Sequence, residues 1–252
     1  MLTENRVPGV YLEDVFLTPK PDLMTGVPAF LGLAGDGAID TPQMLTLWSQ
    51  FEPHFSRPLA NTYLAYAVRG FFENGGQLCY VIRIKEATAA ALETGLEAIA
   101  SIDTIDLICV PDLVLANGQE EGYAMFDRVF AHCREMGDRF AILDVWNRSI
   151  EGIQQQQQKL STLNAALYAP WLKVQSFEPS DRALVEVPPC GHIAGIYAKS
   201  DRAGGVYRSP ANYVLEGVLD LSLTITNNDL IRLNPEAGSG ENNGVNCLRA
   251  LT

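Results

Sequence analysis

The sequence predicts an α/β protein: a mixed, largely parallel sheet flanked by helices, preceded by an extended N-terminal arm. Three observations carry this. Apolar runs of strand length alternate with stretches of helical period between about residues 62 and 146. The links between them are short and punctuated by glycine, proline and asparagine. The first 24 residues break the alternation with an extended, proline-bounded segment. Strand–helix alternation with short links favours right-handed crossovers, and hence parallel pairing under a cover of helices. With 252 residues, 47% hydrophobic and 19% charged, the chain can bury an ordinary core. The expected division is an arm over 1–24 and an α/β domain over 25–252.

Each element has its own warrant. Val7, Pro8, Gly9, Val10, Tyr11, Leu12, Glu13, Asp14 and Val15, with Pro19 and Pro21 following, read as a short extended segment. Two readings are open for it: a loose edge strand on its own domain, or an arm that adds a strand to a neighbouring subunit. Residues 27–34 are a nearly continuous apolar run ended by Gly35-Asp36-Gly37, which suits a strand buried on both faces. Residues 62–73 read as a helix, because Leu64, Val68 and Phe71 share a face. Asn61 is its expected N-cap, and Asn74-Gly75-Gly76 its stop. Residues 78–84 are the next strand, and residues 88–101 a helix with Leu92, Leu96 and Ile99 on one stripe.

Residues 106–110 form a buried strand ending at Pro111-Asp112. Residues 121–136 form an amphipathic helix on Tyr123, Phe126, Phe130 and Cys133, with His132 toward solvent, closed by Gly137. Residues 139–145 are another strand. The five glutamines at 154–158 read as the polar face of a short helix or its lead-in loop. Residues 165–174 read as one strand with an interruption at Pro170, and Val187-Pro188-Pro189-Cys190-Gly191 opens a helix through Tyr197. Residues 236–243 read as an exposed loop.

The net charge of −12 argues against nucleic acid as a direct partner, since phosphate backbones attract clustered Lys and Arg. No apolar run reaches the roughly 18–20 residues of a membrane helix, so no membrane insertion is expected. The opening Met1-Leu2-Thr3-Glu4-Asn5-Arg6 lacks a signal-peptide pattern, and folding in the cytoplasm is the expectation. Cys79, Cys109, Cys133, Cys190 and Cys247 are scattered and form no Cys-x-x-Cys pair, against a disulfide framework or a zinc knuckle. Cys79, Cys109 and Cys133 read as small core residues.

Three constellations could carry chemistry. Gly32, Gly35 and Gly37 follow a strand, where a phosphate loop would sit, but their spacing is not G-x-G-x-x-G and no Lys-Ser/Thr follows; the plainer reading is a turn. Asp112 and Asp144 end two neighbouring strands, where an α/β hydrolase or metal enzyme would place carboxylates. Their plainer reading is helix capping or an Asx turn. Cys190 and His192 are two apart and would diverge on a helix. The histidines His54, His132 and His192 are too few for a multi-His metal site. No cofactor is expected.

Seven motifs, in order, resemble contractile-tail sheath proteins along nearly the whole chain. They are Val7-Pro8-Gly9-Val10-Tyr11-Leu12-Glu13-Asp14, Val27-Pro28-Ala29-Phe30-Leu31-Gly32, the block from Phe71 to Ile84 that includes Phe71-Phe72-Glu73-Asn74-Gly75-Gly76, and Val110-Pro111-Asp112 with Phe140-Ala141-Ile142-Leu143-Asp144. Ala166-Leu167-Tyr168-Ala169-Pro170-Trp171 follows. The strongest is Val187-Pro188-Pro189-Cys190-Gly191-His192-Ile193-Ala194-Gly195-Ile196-Tyr197, continued by Gly205-Val206-Tyr207 and Ser209-Pro210-Ala211-Asn212. Gly244-Val245-Asn246-Cys247-Leu248-Arg249 closes the series.

The resemblance implies a structural, non-enzymatic subunit that stacks in rings around an inner tube and shortens to drive it through an envelope. Its implied partners are other sheath subunits, the inner tube, and baseplate or cap proteins. The segment Val7 to Val15 becomes the implied subunit contact, and Asp112 and Asp144 become structural strand ends. The family's usual C-terminal, tube-facing domain is not matched. A sheath-end cap or adaptor that does not propagate is the alternative, and the hydrolase reading on Asp112 and Asp144 a further one.

Overall fold

The computed structural model describes residues 24–160, 164–177, 183–234 and 244–250. The segment Val7 to Val15 and the loop at 236–243 lie outside them. The first strand is β1 (Pro28–Gly32), buried along its whole length. Strand β2 (Gln43–Leu45), helix α1 (Phe51–Phe55), helix α2 (Leu64–Glu73) and strand β3 (Cys79–Arg83) follow. The alternation continues through α3 (Ala89–Ala98), β4 (Leu107–Cys109), α4 (Gln119–Met136), β5 (Phe140–Asp144), α5 (Ile150–Lys159) and β6 (Ala165–Ala169). Strands β7 (Leu172–Gln175) and β8 (Leu184–Val187), helix α6 (Cys190–Gly204), strand β9 (Val218–Leu221), helix α7 (Asn227–Leu233) and strand β10 (Val245–Cys247) complete the described chain.

Seven strands form one sheet in the order β10-β6-β5-β4-β1-β3-β2. All pairings are parallel except β2 against β3. The expected mixed, largely parallel sheet is therefore present. The chain winds from β1 outward to β3, then returns across β1 to β4 and continues to β6. This doubly wound order puts a reversal between β1 and β4.

Alternate side chains of each strand face opposite helical layers, as the two-residue period of a strand requires. Ala29, Leu31, Ile82, Ile108, Ala141 and Leu143 pack with Leu92 and Leu96 of α3, Met125, Phe126 and Val129 of α4, and Ile153 of α5. Phe30, Val81, Cys109 and Ile142 face the other way, onto Leu64, Val68 and Phe71 of α2 and Cys190, Ile193 and Ala194 of α6. The expected faces of α2 and α3 are both buried.

Helices α2 and α6 cross at unusually short range. A Cβ on Gly191 would lie 2.1 Å from the Ala67 carbonyl oxygen, and one on Gly195 2.6 Å from that of Phe71. Only glycine lets the two backbones approach so closely. The Val187 to Tyr197 motif is thus a packing motif in this chain.

Three local expectations fail and a fourth, the short helix over the glutamines, holds only in part, each for a physical reason. Asn61 does not cap α2; it holds a left-handed conformation (φ 60°), and Tyr63 occupies the capping position. Residues 165–174 are two strands, because the chain leaves the main sheet at Pro170 and enters an antiparallel sheet ordered β8-β7-β9. His132 is buried, since the inward stripe of α4 centres on Gly122, Met125, Phe126, Val129, His132 and Cys133. Of the five glutamines, Gln156 and Gln157 are buried. Gln156 Oε1 accepts from the Trp146 amide (3.1 Å), and its Nε2 donates to the Asp144 carbonyl (3.1 Å).

Candidate functional site

The strand reversal between β1 and β4 is where doubly wound sheets place ligands, beyond the carboxyl ends of the strands. Asp112 occupies that position, in the 3-10 turn Pro111–Leu115 after β4. Its Oδ2 accepts from the Leu33 amide (2.7 Å), just past β1, and its Oδ1 from the Tyr63 amide (2.5 Å), at the start of α2. One fully buried carboxylate therefore ties β1, β4 and the N-terminus of α2 together. It supplies the acceptor that Asn61 does not.

Gly32, the first glycine of the supposed phosphate loop, abuts this carboxylate: a Cβ there would lie 2.6 Å from Asp112 Oδ2. Gly37 has φ +97° and its carbonyl accepts from Arg83 Nη1 (2.7 Å). Gly32 thus packs on a negative group, Gly35 beside Ser56 and Gly37 under Arg83, so the three glycines serve separate packing contacts of a turn.

Asp144 ends β5, next to β4 in the sheet, as expected. Its Oδ1 accepts from the Cys190 amide (2.9 Å) at the first turn of α6. A carboxylate at a helix N-terminus satisfies an orphan N–H and complements the helix dipole. Burial pushes Asp112 up to about 6 and Asp144 up to about 7; the amide hydrogen bonds oppose that rise in both. Elevated carboxyls are also what general acids use, but here the bonded oxygens are committed to main-chain amides. A cavity of about 10 Å³ lined by Val110, Leu113, Phe126, Leu143 and Asp144 has room for about one water.

Cys190 and His192 diverge, as their spacing implies. Cys190 lies beside Cys109 and Asp144, and burial, aided by these two neighbours, pushes its thiol well up. His192 is buried against Gly70 of α2, and burial lowers it to about 4. Cys79, Cys109 and Cys133 are buried, as expected. His132 Nε2 lies 2.5 Å from Arg139 Nη1, and Arg139 Nη2 also donates to the Ile99 carbonyl (2.9 Å). That guanidinium joins α4, β5 and the end of α3. Among the described residues, no group of three or more His, Cys, Asp or Glu side chains is arranged to hold a metal, and no helix is long and apolar enough to cross a membrane.

The carboxylates at the strand ends thus brace a scaffold, and the chain's likeness lies with proteins built to assemble. Its structure matches the helical sheath of the anti-feeding prophage in the contracted state, with TM-score 0.70, 25% identity, and coverage of 98% of this chain and 65% of that one. It also matches the contracted sheath of PVC, an extracellular contractile injection system (TM-score 0.70, 24% identity, 100% of this chain and 64% of that one). A crystal structure of a sheath tail protein from Listeria innocua shares the fold at 10% identity and TM-score 0.54, over 82% of this chain and 63% of that one. No protein-family model and no curated protein sequence matches. These likenesses agree with the ordered sequence motifs: the chain resembles contractile-tail sheath proteins in both fold and sequence. The chain spans about two thirds of the length of the sheath proteins it matches.

Proposed function

We propose that this chain is a structural subunit of a contractile injection apparatus. It packs with other sheath subunits into stacked rings around an inner tube, between baseplate and cap proteins, and repacks to drive the tube through an envelope. The observation that carries this is the likeness to the contracted prophage sheath over 98% of the chain. The inward commitment of Asp112 and Asp144 supports a non-enzymatic role. In this reading the energy resides in the subunit lattice, and no nucleotide or cofactor enters.

The segment Val7 to Val15 is proposed as the subunit contact, an arm that adds a strand to a neighbour. Deleting residues 1–15 is expected to leave an α/β domain with an unchanged unfolding midpoint but to abolish its pelleting with co-expressed sheath and tube proteins. A deleted chain that still pellets would overturn the arm's role, and one that unfolds would assign the segment to its own core.

A second reading is favoured by the likeness to a chain of the prophage baseplate (TM-score 0.69, 25% identity, 98% of this chain): an end component that does not propagate. Copy number per particle separates the two. One ring's worth indicates an end component, and many rings a sheath.

A further inference from the structure

Charge is distributed unevenly along this chain. Helices α3 and α4 carry six acidic residues, Glu93, Glu97, Glu120, Glu121, Asp127 and Glu135, against Arg128 and Arg134, a net −4. Between Gly191 and Leu215 stand Lys199, Arg202 and Arg208 against the single acid Asp201. The acidic surface is that of α3 and α4, and the basic one is the end of α6 with the loop after it. These lie on opposite faces of the main sheet.

The three cations form one patch. Lys199 and Arg202 are exposed and one turn apart on α6. Arg208 folds back onto the helix end, its Cδ 2.6 Å from where a Cβ on Gly204 would sit. Lys199 Nζ lies 5.9 Å from the centre of the Tyr213 ring, and Arg202 Nη2 donates to the Gly75 carbonyl (2.5 Å), which fixes both side chains. Among the described ion pairs none involves these three cations. Beside them Tyr207 is 90% exposed and Val206 65%. Cations at a helix C-terminus favour its dipole, which accounts for Lys199 and Arg202. It does not account for Arg208, nor for an exposed tyrosine and valine beside them. On the other face Glu97, Asp127 and Glu135 are exposed and outside the described ion pairs, whereas Glu93 pairs with Arg128.

We propose that copies of this chain associate head to tail, the basic, tyrosine-bearing end of α6 in one copy seating on the acidic α3–α4 layer of the next. The occupant is a second copy because this chain itself carries the complementary surface. Patches on opposite faces of one sheet cannot satisfy each other within a subunit. They generate a heterologous contact, which closes into rings or propagates as a helix. The charges set the register and steer encounter, and Tyr207 and Val206 supply apolar area at the contact. The inference builds on the sheath reading by naming the contacting surfaces, yet its test needs no particle.

The test is sedimentation velocity of the full chain at about 0.05 M and about 0.5 M salt, since screening lengths shorten several-fold over that range. Self-association at low salt is expected to weaken about tenfold or more at high salt. The triple variant Lys199→Glu, Arg202→Glu, Arg208→Glu is expected to lose association, as is Glu97→Lys, Asp127→Lys, Glu135→Lys, and an equimolar mixture of the two to regain it. Should the first variant unfold, Lys199→Glu with Arg208→Glu leaves the Arg202–Gly75 contact in place and gives the same reading. Association undiminished by reversal, a mixture that stays apart, or a wild-type monomer at low salt each overturns the inference. None of these results touches the sheath reading, which stands or falls on incorporation into particles.

Discussion

Replacing Asp112 by alanine removes the acceptor of two amides, Leu33 N and Tyr63 N, at 2.7 and 2.5 Å. The carboxylate is fully buried, so both amides are cut off from bulk solvent. Leaving a buried donor unsatisfied costs about 1–3 kcal/mol, which puts the loss at roughly 2–6 kcal/mol for the pair. Part of that is offset because the removed carboxyl is itself costly to ionise when buried, as its elevation to about 6 records. A net loss of about 2–4 kcal/mol is expected at neutral pH, corresponding to a midpoint about 4–16 °C lower for a chain of this size. Asp112→Asn keeps one acceptor oxygen and is expected to cost about half as much. Urea unfolding followed by circular dichroism measures both. An Asp112→Ala variant within about 0.5 kcal/mol of wild type would refute the brace, since unconstrained positions fall in that range.

The other predictions concern packing, a polar run and pH. Gly191→Ala places a methyl 2.1 Å from the Ala67 carbonyl and is expected to destabilise by about 1–3 kcal/mol or more in thermal unfolding, separating α2 from α6. Gln156→Ala is expected to cost about 2 kcal/mol through its two main-chain partners, while the exposed Gln155→Ala and Gln158→Ala stay within about 0.5 kcal/mol in urea titrations. His192 is lowered by burial to about 4, so its contribution to stability is present above the unfolded value of about 6.5 and lost as pH falls toward 4. His192→Gln is expected to reduce the acid-induced loss between pH 6.5 and 4; an identical pH profile would contradict this. Asp112 and Asp144, being raised, act with the opposite sign: their ionisation withdraws stability as pH rises from about 4 through about 6 and 7.

The main sheet was legible because its strands are buried on both faces and read as apolar runs, as β1 and β4 do. Helices α2 and α3 were legible because Leu64, Val68 and Phe71, and Leu92, Leu96 and Ile99, repeat at helical spacing. The antiparallel sheet was not: β8 and β9 expose Leu184 and Leu219, and their short strands interleave polar residues on a half-solvated face. Polar burial was the other blind spot. Ile153, Gln156, Gln157 and Leu160 stand at i, i+3, i+4 and i+7, and all are buried; the pattern was there, but glutamine masked it. His132 was hidden similarly, three residues after Val129 and seven after Met125. Asp112 as the brace at α2 depends on a contact 49 residues distant in sequence, which no local capping rule reports.

These residues are proposed to form a subunit of a contractile sheath. Electron microscopy of the chain co-expressed with cognate sheath, tube and baseplate proteins, with this chain tagged, tests it most directly. The account predicts tagged density in the rings surrounding the tube. Complete particles from which the tagged chain is absent would contradict it.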